Sequence, residues 1–504
     1  METLRLSNYK CFEDTGTFTF KPINILVGAN SSGKSSFLEF FPLLKQSIGV
    51  RKNGALLWNS ENGIDTQDFH NTVRDGKGDI SFTFYMKSIF FTFAPLENGD
   101  DAQINVVISQ LESHINDFTN LTRDFYGTDY IKYLSVVFQG ERIELSFNDN
   151  TCVNAKVNGE TINVMKDKPL YSSSEKNILP EFDVDRRSIR GSWFTAAYHY
   201  VQELLKKVDY KKEDLMFAVH RFQRTPFNRE YQLRKLEEEG IKLTDDQFQK
   251  IHNAIIYLSI NNILDSINTY LENFTDNMIY IDPIRYASHR NYIYTNVAVD
   301  GISSDGKNVP VYLLSLQRAG LLERFNEWLH KFFKFTVNVD STPSTLQILI
   351  KEDGKKERNI TDVGYGYSQI LPVILAVWDS IFIDRDNETS RRIKKYPRFV
   401  IIEQPEVHLH PRMQAQFATM LCKTVQLARE RDVDLRVLIE THSETIVNKI
   451  GLIVAEQKTI NKEDVNVVLF NGTHEGMKDD VSYSSFDDNG YLTNWPYGFF
   501  DDVD

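Results

Sequence analysis

Gly28, Gly33, Lys34 and Ser35 stand in the order G-x-x-x-x-G-K-S, with Asn30, Ser31 and Ser32 between the glycines and Ser36 immediately after. That spacing can hold an oligophosphate. The glycines let the backbone wrap closely around it, and the loop amides with the start of a helix supply donors and positive field. Lys34 would reach the β- and γ-phosphates, and the Ser35 hydroxyl would take one position on Mg²⁺. The motif carries this meaning only between a strand and a helix. Ile23-Asn24-Ile25-Leu26-Val27 reads as a buried strand and Phe37-Leu38-Glu39-Phe40-Phe41 as an amphipathic helix, so the context is met. ATP and Mg²⁺ are the expected ligands, against the alternative of a flexible serine-rich turn.

Such a loop needs a carboxylate at the end of a neighbouring strand to complete the metal site. Phe399-Val400-Ile401-Ile402 ends in Glu403, followed by Gln404, Pro405 and Glu406. Glu403 is therefore the expected Mg²⁺ ligand beside Ser35. Its place far down the chain implies a head folded from both chain ends around an insertion.

The elements that must position these residues follow from periodicity. Short strands are expected at 4–12, 15–20 and 80–85. From 278 onward, apolar strands at 278–281, 346–351, 399–402 and 435–439 alternate with helices at 313–335, 368–382 and 411–431. That alternation argues for a parallel α/β sheet. Between these parts, 134–147 and 151–164 suggest strands with a turn at Asn158-Gly159, while 192–207 and 245–274 carry helical spacing. Three segments are expected: 1–95 as the first part of the head, 96–277 as a mostly helical inserted arm, and 278–504 as the second part.

A chain of 504 residues exceeds one ordinary domain, and 41% apolar with 25% charged residues is globular composition. A net charge of −13 argues against a surface that coats DNA as a whole, while leaving room for a local basic groove. Cys11, Cys152 and Cys422 are widely spaced, as expected of buried thiols in a reducing compartment. The N-terminus lacks an apolar signal region and no apolar run approaches a membrane span. A cytoplasmic location without membrane contact is expected.

Further stretches, in their order around the phosphate loop, resemble ABC-type ATPases of SMC- and RecF-like organisation. Asp362-Val363-Gly364-Tyr365-Gly366-Tyr367-Ser368-Gln369, ahead of an apolar helix, resembles their signature motif. The resemblance implies that Gly366, Ser368 and Gln369 cap a γ-phosphate held by a second copy, so that ATP is sandwiched in a homodimer. Val407-His408-Leu409-His410-Pro411 resembles the D-loop region, and His442 stands where the family keeps its switch histidine. Gln67, with His70, lies where a Q-loop would, the alternative being a polar surface loop. The implied fold is an ABC-type head, a phosphate-loop parallel sheet with N-terminal antiparallel strands, split by a largely helical insertion.

Residues 488–500, and Tyr280 to Arg285 with Arg290 and Tyr292, are similar to segments of a bacterial ATPase group. That group is related to OLD-family heads and to ATPase subunits of the anti-phage systems Septu and PARIS. The implied role is a defence ATPase whose ATP-dependent dimerisation senses or gates a separate effector, a nuclease above all. The implied alternative is a DNA-repair or chromosome-organising ATPase that clamps DNA directly. Residues 220–231 interleave Arg221, Arg224 and Arg229 with aromatics, which suits single-stranded nucleic acid or simply a solvated loop. Arg285 and Arg290 would contact phosphate or the partner copy, or pair with acids. One departure stands out. The family follows its Mg²⁺-binding acid with a glutamate that polarises the attacking water, and here that position is Gln404. A glutamine orients water without acting as a base, and Glu406 or His442 would share the task.

Overall fold

The structure, a computed structural model, describes residues 1–495 other than 53, 61–62, 90–99, 111–128, 150, 163–169, 174–175, 183–221, 223–226, 239, 242, 295–298, 300, 384–395 and 472–479. The chain forms two compact units, which part between Thr19 and Phe20, between Leu38 and Glu39, and between Thr275 and Asp276.

The first unit opens with β1 (Thr3–Tyr9), β2 (Phe12–Asp14) and β3 (Phe18–Thr19), after which β4 (Ile23–Gly28) and α1 (Lys34–Leu38) belong to the second. It resumes with α2 (Phe40–Gln46), α3 (Phe69–Thr72) and the strands β5 (Ile80–Ile89), β6 (Asp100–Gln110), β7 (Asp129–Phe138), β8 (Glu141–Asn148) and β9 (Thr151–Val157). Short strands β10 (Glu160–Thr161), β11 (Leu170–Ser173) and β12 (Glu181–Phe182) complete an eleven-stranded sheet ordered β12-β11-β9-β8-β7-β6-β5-β1-β2. β3 pairs with β1 and β10 with β9.

This corrects two expectations. The arm at 96–277 is not mostly helical over its described residues, because its first part is sheet. Nor is there a boundary near 95, since β5 and β6 are hydrogen-bonded neighbours. The physical reason lies in period-two patterning: Ile143, Leu145 and Phe147 of β8 are buried while the residues between them are half-exposed. Gln139-Gly140 and Asn158-Gly159 hold φ values of 49°, 82° and 53°, 80°. Paired positive φ angles make the tight turns whose twist matches antiparallel strands. Among the described residues of the arm the helices follow the strands, as α4 (Arg229–Glu238), α5 (Asp245–Leu258) and α6 (Ile260–Asp276). Thr244 and Gln247 cap α5 reciprocally. Residues 192–207, read as helical, lie outside the described residues.

The second unit continues with β13 (Met278–Ile281), β14 (Tyr292–Ile293), α7 (Val309–Arg318), α8 (Leu322–Phe333), β15 (Phe335–Ser341), β16 (Thr345–Glu352) and β17 (Arg358–Asn359). Then follow α9 (Tyr365–Phe382), β18 (Arg398–Glu403), α10 (Pro411–Glu430), β19 (Leu435–Glu440), α11 (Glu444–Ala455), β20 (Val465–Phe470), β21 (Val481–Phe486) and β22 (Leu492–Thr493). Its main sheet runs β13-β18-β19-β4-β20-β21-β22, parallel through β20 and antiparallel beyond. Every residue of β4, β18, β19 and β20 is buried, as a parallel sheet covered on both faces demands. The fold class is α/β. A smaller antiparallel sheet joins β14, β16, β15 and β17. No helix among the described residues is long and apolar enough to cross a membrane.

α11 is pinned to the turn before β22 by two glycines. A Cβ on Gly451 would collide with the Gly490 carbonyl and come within 2.9 Å of the Phe486 ring. Gly451→Val should therefore destabilise the protein by about 1–3 kcal/mol, seen as a lower midpoint in chemical denaturation. An unchanged midpoint would show that this contact is dispensable.

Candidate nucleotide site

β4 is held on both sides in parallel register, by β19 through Val437–Glu440 and by β20 through Val465–Phe470. At its end the chain turns back on itself, with Ser31 at φ 64° and Gly33 at φ 104°. Gly28 has no room for a side chain: a Cβ there would lie 2.5 Å from Ser32 Oγ and 2.6 Å from the Phe470 carbonyl. Asn30 and Ser31 are exposed, Ser36 is half-buried, and Ser32 is buried with its hydroxyl unpartnered. Lys34 turns inward and donates to the carbonyls of Gly28 (3.0 Å) and Ala29 (2.8 Å). Burial lowers its pKa, while Glu440, Glu403 and Glu406 pull the other way.

The acids differ from expectation in one respect. β19 lies between β18 and β4, so the carboxylate that Ser35 reaches is Glu440, to which its hydroxyl donates at 2.9 Å. Lys34 Nζ is 3.8 Å from the same carboxylate. Glu403 stands one strand further out, in register with Glu440. It is buried, accepts a hydrogen bond from the Tyr280 hydroxyl, and has its pKa raised to about 8. Loss of hydration is the first cause and the neighbouring Glu440 charge adds to it, with hydrogen bonds from Tyr280 and Ser35 opposing. Glu440 was missed by the sequence reading although its signal was the same as that of Glu403, an apolar run closed by an acid.

Beyond β18 the backbone turns at Gln404, whose φ is 44° and whose amide donates to the Glu440 carbonyl at 2.9 Å. Glu406 accepts from Thr441 Oγ1 (2.8 Å) and from the His442 amide (2.7 Å). The turn after β18 is thereby fastened to the turn after β19, and the exposed His442 side chain sits beside it. Arg285, buried at 4% exposure, donates through Nη2 to the carbonyls of Glu403 (2.6 Å) and Gln404 (3.3 Å). Burial lowers its pKa to about 10, with Glu406, Asp282 and Glu403 opposing. Arg290, five positions on, pairs with Asp362.

Gly366, Ser368 and Gln369 form the first turns of α9. A Cβ on Gly366 would sit 3.0 Å from the His408 carbonyl, and the Tyr365 and His408 rings meet edge to face at 4.8 Å. Ser368 Oγ donates to the Tyr365 carbonyl at 2.7 Å, and Gln369 Nε2 is buried without a partner. No hydrogen bond or ion pair joins this turn to the phosphate loop of the same chain among the described residues. Gln67 lies in the first unit, exposed, at φ 66°, its amide bonded to Asp65 Oδ1 at 2.7 Å. With Lys10, Cys11 and His70 it lines a cleft of about 730 Å³. Of the basic stretch at 220–231, Arg221 and Arg224 fall outside the described residues. Arg229 is 3.7 Å from Glu141 and lies over the Phe248 ring at 5.3 Å.

The donor set fits MgATP. Ser35 with Glu440 and Glu403 offers hard oxygen ligands, and among the described residues no larger His, Cys, Asp or Glu cluster could cage a metal alone. Mg²⁺ bound through one or two protein oxygens and substrate phosphates requires no such cage. The cradle at Gly28 and the unpartnered Ser32 hydroxyl suit phosphate oxygens.

Residues 1–447 match the family model described as an AAA ATPase domain, and residues 460–504 match one described as a protein of unknown function, DUF3696. No curated protein sequence matches. Similar solved structures include an SMC head domain with an extended coiled coil bound to the C-terminal domain of ScpA from Pyrococcus furiosus, at 10% identity, 96% of both chains and a TM-score of 0.35. The SMC head domain from Thermotoga maritima matches at 10% identity over 94% of this chain and 95% of that one, with a TM-score of 0.34. An SMC head bound to the C-terminal winged-helix domain of ScpA gives 12%, 96%, 97% and 0.35 in the same order.

The second matched segment contains β20, whose Phe470 carbonyl closes the space beside Gly28. Gly28→Ala must displace either Ser32 or that backbone. Binding of a fluorescent ATP analogue should weaken at least about tenfold, equivalent to 1.4 kcal/mol, with the far-ultraviolet spectrum unchanged. Parent-like affinity would mean that the loop opens away from β20 to take nucleotide.

Proposed function

The chain belongs to the AAA ATPase domain family, and we propose that it is a slow ATPase of a bacterial anti-phage system, closing on a second copy of itself around ATP and so gating a separate nuclease effector. The observation that carries this reading is Gln404, an amide where the carboxylate of a general base is expected, set in the turn directly after Glu403. A positioned general base contributes about 10² to 10⁴ in rate. A site that orients water without deprotonating it holds ATP for long periods, which suits a sensor or gate better than a motor.

In this reading the loop from Gly28 to Ser36 and the Lys34 ammonium bind the triphosphate of one copy. Gly366, Ser368 and Gln369 at the start of α9 in the other copy face its γ-phosphate. Ser35 and the acids Glu440 and Glu403 would hold Mg²⁺, which when bound neutralises charge on the β- and γ-oxygens. Gln404 orients the water, and Glu406 fixes the turns that carry Gln404 and His442. The alternative, a DNA-clamping ATPase of the SMC or RecF kind, draws no support from Arg229, which is already engaged by Glu141 and Phe248.

The purified protein should turn over ATP more slowly than about 1 s⁻¹, the low end for enzymes, and Gln404→Glu should accelerate it at least about tenfold. Turnover of tens per second with no gain from Gln404→Glu would overturn the reading. By light scattering the protein should dimerise with ATP and not with ADP, and Lys34→Ala should stay monomeric in both. ATP- and salt-dependent DNA binding by the protein alone would favour the DNA clamp.

A further inference from the structure

Arg285 spends a buried guanidinium on two backbone carbonyls. It is 4% exposed, its Nη2 reaches the Glu403 carbonyl at 2.6 Å and the Gln404 carbonyl at 3.3 Å, and its Nε and Nη1 are buried with no hydrogen-bond partner among the described residues. Burying a cation without a carboxylate fork is costly, since arginine stays charged and its bidentate partner is normally an acid. The arrangement calls for a reason.

The reason lies in the turn. Along an extended strand successive carbonyls point to opposite sides, so one donor cannot bond two in a row. At Gln404 the φ of 44° breaks that alternation and brings its carbonyl round to the side of its predecessor's. A glutamine has no intrinsic liking for this left-handed conformation. Three bonds hold it there: its own backbone amide to the Glu440 carbonyl at 2.9 Å, and on its carbonyl the Val407 amide at 3.3 Å and the guanidinium. Where the Gln404 side chain starts from, and hence where its carboxamide can reach, is set by this clamp.

We propose that Arg285 is a positioning residue of the ATPase reaction, clamping the Glu403–Gln404 turn so that the Gln404 carboxamide is aimed at the attacking water. Among the described residues no hydrogen bond or ion pair joins it to the phosphate loop or its lysine. Its loss frees Gln404 to relax toward extended backbone and swing its side chain away, while β4, with β19 between it and β18, keeps its loop. The signature is a loss of turnover with nucleotide affinity preserved. This inference rests on the reading of Gln404 as the water-orienting group.

The test is steady-state ATP hydrolysis together with equilibrium binding of a fluorescent ATP analogue, on the full-length Arg285→Lys and Arg285→Ala variants. Lysine keeps the charge and one carbonyl bond but cannot span both carbonyls as a planar guanidinium does. The expected result for Arg285→Lys is a kcat at least fivefold below the parent with Kd for the analogue within threefold. In Arg285→Ala, millimolar guanidinium should restore part of the lost rate and should have no such effect on the parent. A smaller fall in kcat for Arg285→Lys, or a fall matched by an equal loss of affinity, overturns the proposal. Should Arg285→Ala fail to fold, the lysine variant decides alone. Failure of the proposed function is separable: there Gln404→Glu brings no acceleration, and amide exchange over 403–406 in the nucleotide-free protein, faster in Arg285→Lys if the clamp exists and unchanged if it does not, still judges the clamp.

Discussion

One buried ammonium faces two buried carboxylates. The side chains of Lys34 and Glu440 are each 3% exposed and 3.8 Å apart, and Glu403 joins them at 2% exposure. Charges removed from water are tolerated only when paired and hydrogen-bonded, so the surroundings must supply the balance. They do so with loop carbonyls on Lys34, the Ser35 hydroxyl on Glu440 and the Tyr280 hydroxyl on Glu403. Burial is what pushes the Glu403 carboxyl upward, with the neighbouring Glu440 charge adding to it. A divalent cation held by Ser35 and these acids would offset the carboxylate charge, leaving the Lys34 ammonium and the loop amides for the phosphates. The parallel register of β4, β19 and β18 is what brings these groups together and keeps them from moving apart.

Much of this was legible in residue order. The phosphate loop announces itself because each position has a steric or charge requirement, and the structure shows the sharpest of them at Gly28, where no Cβ fits beside Phe470. Strands β18 and β19 are legible from their apolar runs Phe399–Ile402 and Val437–Ile439. Which of them borders β4 was not legible, because the order of strands in a parallel sheet is fixed by helix packing across long separations and leaves no local mark. Glu440 was lost for that reason alone. In the first unit the strands at 134–147 and 151–164 are legible from alternation such as that of β8, but their pairing into one sheet with β5 and β6 is not, and the strong helical spacing of α5 and α6 makes the whole segment look helical. Arg285 could be named as a candidate from its type, but its bonds go to carbonyls, and backbone partners are invisible to any reading of side-chain pattern.

Arg285 holds the turn after β18, Arg290 pairs with Asp362 ahead of α9, and Asn359 donates to the Arg290 carbonyl at 3.0 Å. Within the second unit, a single connection is thus bonded both to the residues proposed to handle water and to the residues just before the turn proposed to face another copy. Exposed Ile284 and Ile293, at 84% and 81%, lie on the same stretch, where apolar surface would be covered if a second copy closed on that side.

β4 has a further property that concerns time. Its six residues are made among the first thirty, and its two neighbours come from 435–440 and 465–470. At about 5–20 residues per second during synthesis, a strand that ends fully buried waits roughly 20–90 s for the partners that bury it. The sheet of the first unit pairs mostly with what is adjacent in the chain and can form while β4 is still waiting. The nucleotide site is therefore among the last things the nascent chain completes. A nascent chain stopped short of Phe470 would lack the strand that closes the space beside Gly28.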